Sequence, residues 1–267
     1  MNTSPKGDRR RLDALLVERG LADSRSRAEA LILSGTVRVG DRVVTKAGSR
    51  IAPDEPLCVE TGKRFMSRAG EKLDAALEEF GVDVEGRSCL DAGASTGGFT
   101  DVLLQRGAER VLAVDVGYGQ FAYSLRKNPR VTVMERTNVR RLSGEDLPFA
   151  PDLLVADLSF ISLAVALGRL FSTTPSLGEA VLLVKPQFEA GPEAVGRGGL
   201  VRNPGVQAAV IVGVVQSFGK LGFGAVGVAR SAVPGRKSGN VEYPVRLLRG
   251  AKTTLDKGHI GEVVGGG

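Results

Sequence analysis

The residues able to do chemistry in this chain stand at the ends of apolar runs. Leu182-Leu183-Val184-Lys185 closes a strand-like stretch with a lysine, and Leu153-Leu154-Val155-Ala156-Asp157 closes another with an aspartate. A parallel sheet binds ligands at the carboxyl ends of its strands, so both charges fall where a site forms. A lysine held near carboxylates in a partly desolvated cleft serves as a neutral base or as a cation that stabilises a developing alkoxide. Either role suits an alcohol, a poor nucleophile whose proton is costly to remove. Plainer readings stay open beside these: a snorkelling surface lysine and a strand-capping aspartate.

A second cluster is Cys89-Leu90-Asp91-Ala92-Gly93-Ala94-Ser95-Thr96-Gly97-Gly98-Phe99-Thr100. It follows a strand signal and opens a helix, so its glycines permit a tight turn and close approach of a ligand to a helix N-terminus. Such a turn is weak evidence alone, because it also serves as a mere connection. Two details sharpen it. Arg110-Val111-Leu112-Ala113-Val114-Asp115 ends the next strand with an acid, 24 residues after Asp91, where it can accept hydrogen bonds from ribose hydroxyls. No phosphate-gripping Gly-Lys-Ser/Thr is present, and Asp91 replaces the first glycine of a pyrophosphate turn. An acid there suits a positively charged ligand, which favours the methionine end of S-adenosylmethionine over a nicotinamide dinucleotide.

The methyl acceptor follows by elimination. Enzymes that methylate amino nitrogens of nucleic acid place an Asn/Asp-Pro-Pro-Tyr/Phe turn after the fourth strand, and Asp157-Leu158-Ser159-Phe160 has no proline. Carbon-5 methylation of pyrimidines needs a cysteine nucleophile near that strand or the next, and Cys58 and Cys89 lie elsewhere. Hydroxyl oxygen remains. With two cysteines and one histidine, His259, beside a Gly-rich end, zinc sites, Ser-His-Asp triads and structural disulfides are disfavoured.

The elements that must hold these groups alternate. Helix signals at 72–80, 100–106, 120–127, 163–170 and 206–221 are interleaved with strand signals at 88–90, 110–114, 131–134, 153–156, 180–184, 225–228 and 245–248. Seven strands alternating with helices predict an α/β fold with a mainly parallel sheet covered on both faces. Upstream, Leu12, Leu15 and Leu16 share a helix face stopped by Gly20. Ser24 caps a second helix with Ala28, Leu31 and Ile32 inward, and short alternating runs of valines follow. This predicts a two-helix unit with a small sheet, and Thr61-Gly62-Lys63-Arg64 reads as a linker.

The whole is a globular composition of 267 residues, 42% apolar and 25% charged. Without a spanning segment or secretory signal it is expected in the cytoplasm. A net charge of +6 favours a polyanionic partner, and it is local: residues 1–50 hold 11 basic against 6 acidic residues, the remainder 25 against 24.

Six segments in order, Ser67-Arg68-Ala69-Gly70-Glu71-Lys72, Leu90 to Asp101, Asp115-Val116-Gly117-Tyr118-Gly119-Gln120, Asp157-Leu158-Ser159-Phe160-Ile161-Ser162, Leu183 to Glu189 and Ser238-Gly239-Asn240-Val241-Glu242-Tyr243, resemble the TlyA (hemolysin A) family over residues 9 to 249. The resemblance implies an S4-type α+β RNA-binding domain at 1–60, a linker at 61–66 and an FtsJ-like, Rossmann-like methyltransferase domain of seven strands at 67–250. Residues 251–267 are then left as a disordered Gly-rich tail. It implies a tetrad of Lys72, Asp157, Lys185 and Glu242, in which Lys185 activates a ribose 2′-hydroxyl, the two acids hold the lysines, and Lys72 completes the site. Unaided, Lys72 and Glu242 read as ordinary surface charges.

The implied S-adenosylmethionine set is Asp91, Gly93, Ala94, Ser95, Thr96, Gly97, Gly98, Asp115, Val116, Asn138 and Asp157, with no metal. Arg10, Arg11, Arg25, Arg27, Arg38 and Arg68 are the RNA-facing candidates, some of which are simply solvated. The activity implied is 2′-O-methylation, of cytidine, in ribosomal RNA or ribosomal subunits, with no obligate protein partner. Two rivals are a membrane-active cytolysin, disfavoured for want of a spanning or strongly amphipathic basic helix, and a non-catalytic ribosome-assembly factor, against which Lys185 and Asp157 argue.

Overall fold

The computed structural model describes residues 9–59, 64–231, 233 and 239–266. Positions 61–63 of the expected linker, Ser238 of the last motif and Gly267 lie outside the described residues. The chain forms two compact units, Met1–Arg64 and Phe65–Gly267.

In the first unit the elements are β1 (Arg10–Arg11), α1 (Leu12–Glu18), α2 (Arg25–Leu33), β2 (Val37–Val39), β3 (Arg42–Val43), β4 (Arg50–Ile51) and β5 (Leu57–Val59). Leu12, Leu15 and Leu16 pack with Ala28, Ile32, Val37, Val39 and Ile51 in one core. The Ser24 hydroxyl accepts from Arg27 N at 3.2 Å and starts α2. Strands β3, β2 and β5 make an antiparallel sheet, and β1 pairs β4. The helix pair and small sheet are those the spacing predicts.

The second unit contains α3 (Arg68–Glu79), β6 (Ser88–Ala92), α4 (Gly98–Gln105), β7 (Arg110–Val114), α5 (Tyr123–Arg126), β8 (Val131–Met134), β9 (Leu153–Ala156), α6 (Leu163–Thr173), β10 (Glu179–Val184), α7 (Pro186–Glu189), α8 (Pro204–Gly219), β11 (Phe223–Val228), β12 (Tyr243–Arg249) and α9 (Lys257–Gly265). All seven expected strands join one sheet, ordered β11-β12-β10-β9-β6-β7-β8. Strands β6 to β10 pair in parallel, and β12 runs antiparallel to both its neighbours. Every residue of β9 and β10 is buried, as strands covered on both faces must be. Helices α6 and α8 pack on one face, and α3 and α4 on the other.

Strand order reverses beside β6, which opens a crevice at the carboxyl ends of β6 and β9. The pairing of Val184 with Tyr243 brings the residue leaving β10, Lys185, and the residue entering β12, Glu242, to that same edge.

The expected disordered tail is corrected. Asp256 Oδ1 accepts from His259 N at 2.7 Å and caps α9, while Ile260 and Val264 are buried in the core that also holds Ile211, Val214 and Phe218. The glycine content hides an apolar pair at i, i+4, enough to dock one short helix. Of the expected linker, Phe65 is buried and Met66 N donates to Asp101 Oδ2 at 2.8 Å, so both are anchored within the second unit. The helix expected at 120–127 is one turn, Tyr123–Arg126. Among the described residues no helix is long and apolar enough to cross a membrane.

Candidate functional site

Four elements bring the four charged residues to one edge. Lys185 follows β10, is 8% exposed, and places Nζ 2.5 Å from Asp157 Oδ1, next after β9. This is an ion pair and not a directed hydrogen bond; the directed bond runs from Lys185 Nζ to Ser159 Oγ at 3.1 Å. On α3, Lys72 Nζ donates to Glu242 Oε2 at 2.6 Å, with both side chains at most 10% exposed. Charges so far out of water persist only when paired. The structure therefore holds the four residues as two lysine–carboxylate pairs.

The Gly-rich turn joins β6 to α4. Gly93 has φ +88°, and a Cβ there would meet the Asp157 carbonyl oxygen at 2.6 Å, so only glycine lets the β6 and β9 ends approach this closely. Gly97, at φ 95°, is the N-cap of α4. Asp115, after β7, ties the turn down: Oδ2 accepts from Ser95 N at 2.8 Å and Oδ1 from Gly117 N at 2.6 Å. Ala94 is buried, and Ser95 and Thr96 are exposed.

Asp91 is fully buried; Oδ2 accepts from the Thr100 hydroxyl at 2.7 Å while Oδ1 has no hydrogen-bond partner. Burial pushes its carboxyl up to about 7, the charges of Asp157 and Asp115 act the same way, and Thr100 opposes them. Val116 is exposed. Asn138 is exposed and its Oδ1 accepts from Arg140 N at 3.0 Å, a local cap, with Thr137 N donating to the Asp115 carbonyl beside it.

The arginines divide. Arg11 and Arg25 both pair with Asp13, whose side chain is wholly buried, and Arg10 pairs with Glu18 at 2.7 Å. Arg38 Nη2 donates to the Asp41 carbonyl at 2.6 Å. Arg27 is exposed and its side chain makes no ion pair among the described residues. Arg68, at the start of α3, is exposed.

Sequence reasoning missed three contributors. Ser159 supports Lys185 and Thr100 supports Asp91, each signalled only by lying within a motif. Phe160 is the third: it holds φ 66°, is 88% exposed, and lies 4.9 Å from the Phe188 ring, centroid to centroid. Lys185 Nζ is 5.9 Å from that Phe188 centroid. A phenylalanine in a left-handed conformation is strained, and this one is unburied as well.

The FtsJ-like methyltransferase family matches residues 65–249, and the S4 domain family matches residues 10–57. The chain is 50% identical to the 16S/23S rRNA (cytidine-2′-O)-methyltransferase TlyA of Mycobacterium tuberculosis, across 88% of each chain. It is 39% identical to the Hemolysin A of Brachyspira hyodysenteriae, across 89% of this chain and 99% of that one. A solved structure of a candidate hemolysin from Streptococcus thermophilus superposes with a TM-score of 0.73 at 37% identity, covering 97% of this chain and 95% of that chain.

Proposed function

The chain belongs to the TlyA family of FtsJ-like methyltransferases that carry an S4 domain, and from that premise we propose that it methylates the 2′-hydroxyl of a cytidine in ribosomal RNA, using S-adenosylmethionine. The observation that carries the reading is the double pair, Lys185 with Asp157 and Lys72 with Glu242, at the edge of the sheet where the Gly-rich turn opens.

The residues present fit the cofactor. Asp91 Oδ1, buried and without a partner, would hold its ammonium group, and Asp115 its ribose hydroxyls. The turn at Gly93 would admit its backbone-facing edge. When bound, it supplies a methyl group on a sulfonium.

The chain's own groups then act on the acceptor. An ammonium has three donor positions. The hydrogen bond to Ser159 uses one of them on Lys185 and the ion pair with Asp157 holds the group in place, which leaves a donor for the ribose oxygen. As that hydroxyl gives up its proton to water, Lys185 stabilises the charge gathering on oxygen, and Asp157 and Ser159 keep its Nζ from swinging away. Glu242 holds Lys72 on the other side of the site. The exposed Phe160 face, backed by Phe188, supplies a stacking surface for a base turned out of its helix. The S4 unit supplies phosphate contacts, Arg27 foremost, and Arg68 on α3 is the candidate for one from the second unit.

The test is transfer of tritiated methyl to ribosomal subunits from cells that lack the modification, followed by nuclease mapping of the product. Wild type should label a ribose 2′-oxygen. Lys185→Ala should lose roughly 10²–10⁴-fold in rate with cofactor affinity unchanged, and a protein lacking residues 1–60 should bind cofactor but label no subunit. Wild-type turnover by Lys185→Ala, or label on a base, overturns the proposal.

A further inference from the structure

Between α7 and α8 the chain makes a long glycine-containing loop with two short 3-10 turns, Pro192–Ala194 and Arg197–Gly199. Its end is buried: Val201 is 2% exposed. A buried backbone N–H and C=O must both find partners, and among the described residues no strand pairs with Val201 to supply them. Two side-chain amides do so. Asn240 Oδ1 accepts from Val201 N at 3.0 Å, and Asn240 Nδ2 donates to the Gly199 carbonyl at 2.7 Å. Gln207 Nε2 donates to the Val201 carbonyl at 2.6 Å, and Gln207 Oε1 accepts from the Tyr243 hydroxyl at 2.7 Å. Asn240, Gln207 and Tyr243 are 3%, 7% and 0% exposed.

These bonds close a ring from Asn240 through Val201 and Gln207 to Tyr243. Glu242 lies inside the short chain segment that completes it. Its own carbonyl accepts from Ser231 N at 2.9 Å, so the Glu242 backbone is held from both directions while its carboxylate reaches Lys72. Each amide donates through its nitrogen and accepts through its oxygen, whereas an ionised carboxylate only accepts, so neither Asp nor Glu could replace these two residues without leaving a buried group unpaired.

Resting on the methyltransferase reading above, we propose that Asn240 and Gln207 are positioning residues for methyl transfer: their ring clamps the loop after α7 to the segment carrying Glu242, and so fixes the carboxylate that holds Lys72. They act through Glu242 and touch no reacting atom.

A double-mutant cycle on the full-length protein tests this, with single-turnover methyl transfer to unmodified ribosomal subunits, S-adenosylmethionine affinity and thermal midpoint as readouts. Asn240→Ala should slow transfer about tenfold or more while cofactor affinity stays within about twofold, and Asn240→Asp, which keeps the acceptor for Val201 N but sets a buried carboxylate against the Gly199 carbonyl, should not restore the rate. In a Glu242→Gln background the same Asn240→Ala change should alter the rate by less than about twofold, because the group it positions is already disabled. Equal losses in both backgrounds would mean a merely structural amide and overturn the inference. Should Asn240→Ala not fold, Gln207→Leu, which opens the other half of the ring, enters the same cycle with the same criterion. Wild-type turnover by Glu242→Gln would instead overturn the tetrad reading itself, whereas a slow Glu242→Gln with an additive cycle sinks only the clamp.

Discussion

Asp91 offers a perturbation whose size can be worked from the structure. Its carboxyl is wholly buried at the end of β6, and burial moves it from 3.8 to about 7. The folded protein therefore holds this proton more tightly than the unfolded chain does. The resulting stabilisation is complete below the unfolded value, fades as pH rises between about 4 and about 7, and is gone above that. A shift of about 3 units at 1.36 kcal/mol each is a swing of about 4 kcal/mol. Asp91→Asn keeps the shape and removes the titration. Urea unfolding of both proteins without cofactor, from about pH 4 to about pH 8, should show their stability difference moving by about that amount in favour of the variant as pH rises. A fixed offset from the new amide does not alter the swing. Saturating S-adenosylmethionine should shrink it, since a ligand that prefers the ionised carboxylate stabilises the form the apo fold resists. A pH-independent difference between the two proteins would refute the assignment of Asp91 as a desolvated acid awaiting a cation.

Phe160→Ala removes an exposed ring, so the thermal midpoint should barely move. If the ring carries a base, kcat/KM on subunits should nonetheless fall by about 1–3 kcal/mol, roughly 5- to 150-fold; an unchanged value would remove Phe160 from the substrate surface. Ile260→Ala should cost about 2–4 kcal/mol in calorimetry or urea unfolding, where a loose tail would give no change. Arg27→Ala should weaken RNA binding and reduce its salt slope by about one. Arg11→Ala should act differently, lowering the stability of the first unit by leaving Asp13, held below the usual carboxylate range by its hydrogen bond from Arg11, buried beside a weakened partner. Equal salt slopes for the Arg27 variant and wild type would deny it a phosphate.

The site was legible in the sequence wherever one element alone displayed the conflict. Lys185 and Asp157 each end an apolar run, and a charge in that place needs a reason that local structure does not give. Glu242 showed no such conflict. Its partner Lys72 is 170 residues away, and only the insertion of β12 between β10 and β11 brings them together. Pattern within a strand cannot reveal pairing across a sheet, so the resemblance supplied these two residues and the residues themselves did not. The arginines could not be told apart for a related reason: five similar charges on a basic unit look equivalent until one buried aspartate, Asp13, pairs with two of them. In the C-terminal segment, glycine content outweighed the spacing of Ile260 and Val264, although that spacing was the better guide.

The antiparallel β12 gives the edge its particular chemistry. Strands running in parallel deliver only their carboxyl ends to the crevice, and each delivers one residue before the chain turns away. A strand entering from that edge delivers an amino end, so Glu242 arrives from the opposite direction and needs its own fixing, which its neighbours Asn240 and Tyr243 supply. Two ion pairs this deeply buried are weak contributors to stability, because desolvation offsets most of their attraction and well-packed apolar residues do as well or better. Their presence where the apolar runs of β9 and β10 end therefore argues for chemistry at this edge. On the reading proposed above, the fold tolerates one buried and one part-buried lysine because a reacting oxygen requires a fixed cation.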